Sequence, residues 1–376
     1  MDFQSSTNEP ADWASHLAPE EAFASAPWLR LFGDRVSRER YWFAARSKIS
    51  GELLAGIAGH VQREPGNYPM LNEHLIIPGK SPFWPKEAEV PEDGGTPIEF
   101  PALWLVYPGL ASFLVGQKSQ ASSSVRFLLT MVLDWARASR CKTVVVPYVG
   151  APRGALSVAL GELGFGETTI AQDAWLAVGA GGWNQYIGSF PSRRRRNINR
   201  ERRQLAAHNV VVREAGEDRL DPYVDLLAKQ QRKYGRQEDR SNLQRRMFDL
   251  TQLAPTCIIV AEHGSDPEPR PISFCLFSKL GSDLHAMMTG TDYGNENSRL
   301  AYFEVTFYSA VEAAARMNVK RIGYGLASSA AKRNRGAELT AVSCWVRSLD
   351  YAGRTPHEPR NWLLQPPVDS DEAKNE

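Results

Sequence analysis

The chain is 376 residues long, with 43% hydrophobic and 23% charged residues. This is enough apolar material for two cores, because a single hydrophobic core stops growing near about 250 to 300 residues. The 44 basic and 43 acidic side chains leave a net charge of +1, which excludes a global field that would draw the protein to nucleic acid or to an anionic membrane.

The cysteine and histidine patterns argue against disulfide frameworks and metal sites. The four cysteines show no C-x-x-C spacing, and the seven histidines form no H-x-x-x-H or H-E-x-x-H pair, so we expect no metal and no bound cofactor. No G-x-S-x-G motif supports an acyl-enzyme on serine. Without a signal sequence or a run of eighteen apolar residues, a cytoplasmic protein with no membrane span is expected.

The first half of the chain alternates between predicted strands and helices. Residues 1–20 are polar without periodicity, and we predict that they are disordered. A strand over 101–116, broken at Pro108-Gly109, leads through the polar loop GQKSQASSS into a helix over 125–140 with apolar residues at helical spacing. A short buried strand over 142–149, a helix over 155–165 and a strand over 169–178 follow.

The second half shows the same order of elements, although its amino-acid sequence does not repeat that of the first half. CIIVAE, PISFCLF and DLHAMMTG are predicted strands, and DYGNENSR is a polar loop. A long helix over 300–318, a strand RIGYG, a short helix SAAKRNRG and a final strand AVSCWVRS complete the unit. Two units of one fold are the simplest account.

This order of elements is similar to that of the GNAT acyltransferase fold, and two such units in one chain resemble the Fem family of amino-acid-adding peptidyltransferases. The resemblance implies an α+β or α/β fold with two tandem GNAT-type acyltransferase domains, each a mixed, mostly antiparallel sheet flanked by helices. We expect the first domain over 21–180 and the second, which carries the active site, over 181–351. A mobile tail is predicted over 352–376.

Two local motifs carry the resemblance. Fem-like proteins have a helix of the form Arg-x-Asn-Ile followed by a basic stretch, and this chain has Arg195-Arg196-Asn197-Ile198. Near the C-terminus the family places a lysine shortly before an aromatic residue or arginine and a glycine, and here these are Lys332 and Arg335-Gly336. The cell-wall enzymes favour Phe-Gly at the second position, so the chain looks more like the broad Fem-like group of acyltransferases.

Amide formation from an activated acyl group needs a fixed cation or hydrogen-bond donor near the developing oxyanion. The resemblance implies that Lys332 polarises the acyl carbonyl, although from the residues alone a solvated lysine on a polar helix is the commoner case. Asp292 follows a predicted strand where the central strands of such a fold separate, and it is the candidate proton acceptor. Predicted substrate-binding residues are Arg335, Gly336 and three tyrosines that, like Asp292, are more often structural: Tyr293, Tyr302 and Tyr324.

The loops that precede the two central helices are poor in glycine. GNAT enzymes that use acyl-CoA cradle its pyrophosphate on the backbone N–H groups of a glycine-rich loop. The corresponding segments here, GQKSQASSSV and TDYGNENSRL, have one glycine each. Serines also bind phosphate, so an acyl-CoA donor stays open, but the pattern favours a donor held elsewhere, such as aminoacyl-tRNA.

The segment SRRRRNINRERR over 192–203 contains seven arginines and one glutamate. On a helix, four of them form one cationic stripe that suits RNA phosphates, with Ile198 on the opposite side: Arg193, Arg196, Arg200 and Arg203. A solvated basic helix that links two domains is the commoner interpretation. The resemblance implies that Arg195, with Arg196, binds an anionic group of the acceptor or donor.

The leading hypothesis is a Fem-like transferase that moves an aminoacyl group from aminoacyl-tRNA to an amine of a small-molecule or peptide acceptor. The first alternative is an acyl-CoA-dependent GNAT N-acyltransferase. The second is a nucleic-acid-binding module without enzymatic activity that uses the arginine-rich helix.

Overall fold

The computed structural model describes residues 1–31, 39–66, 69–71, 73–76, 98–107, 111–150, 154–216, 220–233, 238–264 and 270–349. The chain divides into two compact units. Unit 1 comprises Met1–Leu17, Glu21–Asp173 and Thr340–Glu376, and unit 2 comprises Ala18–Glu20 and Ala174–Leu339. The predicted strand break at Pro108-Gly109 and the predicted tail over 352–376 lie outside the described residues.

The strands are β1 (Asp2–Ser6), β2 (Arg40–Arg46), β3 (Leu53–Gln62), β4 (Ala102–Trp104), β5 (Thr143–Gly150), β6 (Gly166–Ala177), β7 (Val210–Ala215), β8 (Thr256–His263), β9 (Pro271–Leu280), β10 (Asp283–Thr291), β11 (Arg321–Gly325) and β12 (Glu338–Ser348). The α-helices are α1 (Ala26–Leu31), α2 (Ser122–Ala138), α3 (Ala155–Glu162), α4 (Gly182–Gly188), α5 (Ser192–Ala207), α6 (Asp221–Lys233), α7 (Arg240–Leu253), α8 (Ser298–Phe303), α9 (Ser309–Arg316) and α10 (Ser329–Arg333). A π-helical turn (Glu304–Tyr308) joins α8 to α9. Short 3₁₀ turns lie at Ala14–His16, Pro19–Ala24, Pro69–Leu71 and Glu73–Ile76.

The sheet of unit 1 is antiparallel except at one pair. Its order is β1-β2-β3-β4-β5-β12 followed by the N-terminal part of β6. β4 and β5 run parallel, from the pair Ala102 and Thr143 to the pair Trp104 and Val145, while β1–β2, β2–β3, β3–β4 and β12–β5 are antiparallel. Parallel neighbours need a crossover, and α2 provides it.

α2 forms because its apolar residues recur at helical spacing. Buried side chains at i, i+3, i+4, i+7, i+8 and i+11 line one face, namely Val125, Leu128, Leu129, Val132, Leu133 and Ala136. This face packs into the apolar core of unit 1 with residues of β2, β3 and β5.

β3 is buried along nearly its whole length although it contains two glycines. A Cβ on Gly59 would lie 2.4 Å from the backbone oxygen of Trp104, and one on Gly56 would lie 2.5 Å from the Trp13 ring. Glycine weakens the strand signal in a sequence, but close approach of a neighbouring chain requires it here.

Residues 1–20, which were expected to be disordered, are part of the fold. β1 pairs along its length with β2, from Asp2 opposite Arg46 to Ser6 opposite Trp42. Trp13 is fully buried, and its indole N–H donates to the backbone oxygen of Ala24 at 3.2 Å. The burial of this indole ring supplies hydrophobic free energy that the polar composition of the segment hides.

The sheet of unit 2 repeats the arrangement of unit 1. Its order is β11-β10-β9-β8-β7, with Ala174–Ala177 of β6 beside β11. β10 and β11 run parallel from the pair Asp283 and Arg321 to the pair His285 and Gly323, and the neighbouring pairs are antiparallel. The segment from α8 to α9 is the crossover, as α2 is in unit 1. The prediction of two tandem units, each with a mixed, mostly antiparallel sheet flanked by helices, is confirmed.

β10 and β11 separate after their three paired residues. β10 continues to Thr291 with a register shift between Ala286 and Met288, whereas β11 ends at Gly325. Strands that part in this way expose their backbone and carboxyl ends at one edge of the sheet. The candidate residues of unit 2 follow these two strand ends.

Candidate functional site

Lys332 is a buried side chain on a short polar helix. It is 6% exposed, while its neighbours Arg333 and Asn334 are exposed. Its ammonium donates to the backbone oxygens of Tyr324 at 2.7 Å and Gly325 at 2.8 Å, at the end of β11. These contacts fix the cation beside the point where β10 and β11 part, so the interpretation of Lys332 as a solvated surface lysine does not hold.

Arg335 is also buried, with 5% of its surface exposed. Its guanidinium carbon lies 3.2 Å from the centroid of the Phe303 ring and 5.3 Å from that of Phe307. Nη1 donates to the backbone oxygen of Ala331 at 3.0 Å. Burial is the largest cause that lowers the pKa of Arg335, and the aromatic faces offset part of the lost hydration of its charge.

Gly336 directs the chain out of α10. Its φ is +85°, and a Cβ there would lie 3.1 Å from Cζ of Phe190. Only glycine adopts this conformation without strain, so the predicted Arg335-Gly336 pair contains one residue that turns the chain and one that points inward.

Two of the three predicted tyrosines lie with Lys332 and Arg335. Tyr324 is 7% exposed, and its ring centroid lies 4.8 Å from that of Phe307. Burial raises the pKa of the Tyr324 hydroxyl well above its usual value, and Tyr302 is among the neighbours that add to this shift. The Tyr302 ring is half-buried and packs against Phe303 and Phe307.

Asp292 and Tyr293 instead contact α6. Asp292 accepts a hydrogen bond from Nζ of Lys229 at 2.8 Å, and this bond is the largest cause that lowers the pKa of its carboxyl group. Nζ of Lys233 lies 3.5 Å from the centroid of the Tyr293 ring. A carboxylate with a lowered pKa is a weaker base, and the role of Asp292 as proton acceptor stays a prediction.

Four backbone N–H groups of the loop between β10 and α8 donate hydrogen bonds to acceptors within the same loop. Those of Gly294 and Asn295 donate to the Asp292 carboxylate and backbone oxygen at 3.3 and 3.0 Å. Those of Asn297 and Ser298 donate to the side-chain and backbone oxygens of Asn295 at 2.9 and 3.0 Å. A pyrophosphate cradle needs these donors to point at the ligand, so this conformation of the loop does not provide one.

The equivalent loop of unit 1 is closed in a similar way. The N–H groups of Gln117 and Lys118 donate to the backbone oxygens of Leu53 and Leu54 on β3 at 3.1 and 2.8 Å. Ser119 donates to Gly116 at 3.2 Å. Neither glycine-poor loop therefore presents its leading N–H groups to a phosphate.

The predicted cationic stripe on α5 faces solvent. Its four arginines are exposed, and among the described residues none of them has an acidic partner: Arg193, Arg196, Arg200 and Arg203. An open groove of about 430 Å³ runs beside them, lined by Arg196, Asn199, Arg202 and Arg203. Arg195 is half-buried and donates through Nη2 to Oγ of Ser192 at 3.1 Å.

The opposite face of α5 turns two further arginines inward. Arg202 pairs with Glu304 at 3.0 Å and Glu312 at 2.9 Å, and lies 4.5 Å from the centroid of the Trp183 ring. Burial is the largest cause that raises the pKa of Glu304, which is 3% exposed. Arg194 is half-buried, and its Nε and Nη2 are enclosed without a hydrogen-bond partner among the described residues.

The sequence analysis missed Arg194 and Arg202. Both lie four positions from Ile198, a fully buried residue of α5. Residues at that spacing share one face of a helix, so the buried position of Ile198 was the signal that marks them as inward-facing.

Over the ranges of the chain that the structure describes, no group of three or more His, Cys, Asp or Glu side chains could hold a metal ion. Within the same ranges, no helix has the length and apolar character that a membrane crossing requires.

Comparison with known proteins gives a family and a fold. A sequence model of the FemAB-like family, described as peptidoglycan biosynthesis/recognition, matches residues 109–352. No curated protein matches the chain. A crystal structure of FemX superposes with a TM-score of 0.61 at 11% identity, over 93% of this chain and 98% of that one. A conserved protein of unknown function from Bacteroides thetaiotaomicron VPI-5482 gives 0.54 at 10% identity, over 93% and 100%.

The similar solved structures show a shared fold. The match to the family's sequence model supports assignment to the family, because it spans well over half of the chain. It includes α5, the loop before α8 and the α10 segment with Lys332. The chain belongs to the FemAB-like family.

Proposed function

We propose that the protein transfers an aminoacyl group from aminoacyl-tRNA to an amine of a small-molecule or peptide acceptor, and that unit 2 carries the active site. The acceptor amine attacks the ester carbonyl, the bond between that carbon and the ribose oxygen breaks, and an amide forms. The proton released by the amine goes to the departing ribose oxygen. The description of the family as peptidoglycan biosynthesis/recognition supports a peptide or precursor acceptor.

Lys332 is the proposed electrophilic group. Its ammonium is held by two backbone oxygens at the end of β11 and is nearly closed to solvent. A preorganised charge of this kind stabilises a developing oxyanion without reorganisation during the reaction.

The closed conformation of the loop between β10 and α8 is the observation that favours aminoacyl-tRNA over acyl-CoA as the donor. Acyl-CoA enzymes of this fold bind pyrophosphate on N–H groups that are here donated within the loop. The exposed arginines of α5 and the groove beside them supply an alternative surface for a polyanion, and such a surface suits a tRNA backbone.

The test is transfer of a labelled amino acid from charged tRNA as a function of salt. Replacing Arg193, Arg196, Arg200 and Arg203 by glutamine is expected to weaken tRNA binding and to lower the slope of log affinity against log salt by about one for each lost phosphate contact. Arg232→Gln on α6, also exposed, is the matched control.

The alternatives give different results. Acyl transfer from acyl-CoA in the absence of tRNA would overturn the proposed donor. If Lys332→Met leaves the cellular activity intact and the arginine variants abolish it, the protein is a nucleic-acid-binding module.

A further inference from the structure

Two arginines in unit 2, Arg213 and Arg321, each hold one carboxylate through the nitrogens Nε and Nη2. Nε and Nη2 of Arg213 donate to the two oxygens of Glu262 at 2.5 and 3.1 Å. The same two atoms of Arg321 donate to the two oxygens of Asp283 at 2.7 Å each. This side-on, bidentate geometry is the strong form of the arginine–carboxylate interaction.

The same two nitrogens of Arg194 are buried, but among the described residues no carboxylate binds them. Its Nε and Nη2 are shielded from solvent, and neither has a hydrogen-bond partner among the described residues. Burying charged N–H groups without acceptors is unfavourable. An oxyanion that binds side-on, as Glu262 does on Arg213, is the simplest group that offsets this cost.

Arg335 is a second buried guanidinium group of unit 2, and its charge interacts with that of Arg194. Its Nε is also enclosed without a partner among the described residues, and after burial the charge of Arg194 is a further cause that lowers its pKa. The carboxylate of Glu201 also acts on Arg335, and it accepts a hydrogen bond from Oη of Tyr308 at 2.6 Å. Glu304 and Glu312 both pair with Arg202, so Glu201 is the carboxylate that acts on Arg335. It leaves the Nε groups of Arg194 and Arg335 without an acceptor among the described residues.

Tyr324 lies between Arg335 and the proposed active site, because it interacts with both Arg335 and Lys332. Its backbone oxygen accepts a hydrogen bond from Lys332, and its hydroxyl has no partner among the described residues. The charge of Arg335 acts on that hydroxyl. A ligand group between Arg335 and the hydroxyl thus lies next to the residue whose main chain positions Lys332.

We propose that Arg194, Arg335 and Tyr324 bind a free carboxylate of the acyl acceptor, so that the acceptor is an amino acid or a peptide that presents its carboxylate to this site. The assignment rests on the proposed function, because an aminoacyl-tRNA has its carboxyl group esterified and cannot supply a carboxylate. The acceptor can, and carboxylate binding then places its amine near Lys332.

The first experiment measures binding by the full chain without any acyl donor. Calorimetric titrations use glycylglycine, glycylglycine amide and inorganic phosphate as probes. We expect glycylglycine to bind and the amide to bind at least about tenfold more weakly, as expected for loss of a charged, bidentate contact. Arg194→Met and Tyr324→Phe should each weaken glycylglycine binding, and Arg232→Gln should not.

Equal binding of the peptide and its amide would overturn the proposal, as would unchanged binding by Arg194→Met. Preference for phosphate, or no binding of any of the three probes, would also overturn it. Since these titrations contain neither tRNA nor CoA, failure of the proposed donor leaves their outcome unaffected.

A second measurement separates ligand binding from a structural role. Urea unfolding of the ligand-free protein compares Arg194→Met with Arg321→Met, which removes the partner of the buried Asp283. We expect the midpoint of Arg194→Met to equal or exceed that of the wild type, because methionine removes two enclosed N–H groups that have no acceptor, and the midpoint of Arg321→Met to fall. An equal fall in both variants shows that Arg194 is a structural residue and overturns the proposal.

Discussion

The ammonium of Lys332 is anchored where a mobile surface lysine would be free to move. Its two backbone acceptors belong to the last residues of β11, and its exposed fraction is 6%. A charge held in this way acts on whatever carbonyl is brought to it, because the surrounding protein and not water sets its position.

Replacement of Lys332 by methionine is expected to lower aminoacyl transfer by about 10²- to 10³-fold, the usual effect of removing one oxyanion donor. The change also leaves two backbone oxygens without this donor, which costs about 1 to 3 kcal/mol of unfolding free energy. Single-turnover transfer and urea unfolding, measured on the same samples, separate the two effects. Arg333→Met on the same helix is the control, and a transfer loss no larger than the loss of folded protein contradicts the role.

Sequence reasoning could find Lys332 but not its surroundings. The spacing from Lys332 to Arg335-Gly336 carries the family resemblance, whereas the burial of Lys332 and Arg335 depends on how α10 follows β11. The ion pair of Asp292 with Lys229 joins residues 63 positions apart, and no local pattern encodes such a contact.

At the scale of elements, Arg202 connects α5 to the helical segment between β10 and β11. It pairs with Glu304 in the π-helical turn and with Glu312 in α9. Glu304 is 3% exposed and Glu312 reaches the surface. Water can therefore solvate the Glu312 carboxylate if Arg202 is lost, but it cannot solvate that of Glu304.

Arg202→Met is expected to lower the free energy of unfolding at neutral pH by about 3 kcal/mol. This is the low end of the range for a broken buried pair, because Arg202 itself is 30% exposed. The pKa of Glu304 is already raised in the folded state, and loss of Arg202 raises it further. The folded protein then takes up a proton more readily than the unfolded chain, so the deficit shrinks as pH falls from above the folded pKa toward the unfolded pKa.

Urea unfolding at several pH values checks this, with Arg202→Met/Glu304→Gln as the rescue variant and Arg200→Met on the exposed face of α5 as the control. A deficit that is independent of pH and unchanged by Glu304→Gln would show that lost packing on Trp183 is the cause.

Elements in which apolar or basic residues recur at a regular spacing could be predicted from the sequence. Elements whose form depends on tertiary contacts could not. The helical spacing of α2 and the basic stripe of α5 match the structure. The helix predicted over 300–318 is interrupted by a π-helical turn, which ordinary helix propensities do not signal. β2 and β3 were missed, and β3 owes its two glycines to contacts with Trp13 and Trp104.

At the scale of the whole molecule, the last described strand, β12, returns to the first unit. Its residues from Thr340 to Ser348 belong to unit 1, and Trp345, 4% exposed, packs in the core of that unit. A division into continuous ranges such as 21–180 and 181–351 follows the order of elements, and order alone does not reveal which sheet the last strand joins.

Trp345→Ala is expected to destabilise unit 1 by about 3 to 5 kcal/mol, as for other large core truncations. Native-state hydrogen exchange should show the larger loss of protection in α2 and β5. Phe277→Ala, a fully buried position of unit 2, is the matched variant and should act on β8 and β9. Equal loss of protection in both units from Trp345→Ala would contradict the assignment of β12.

The π-helical turn at Glu304–Tyr308 has a consequence for how the family can vary. Such a turn accommodates one residue more than an α-helix needs for the same rotation and advance. Loss of a single codon between 304 and 308 would therefore restore a regular α-helical turn and leave α8 and α9 facing as they do now. Phe303, which stacks on Arg335, and Tyr308, which binds Glu201, would keep the same side, so the crossover can lose one residue here without losing the contacts at either end of the turn.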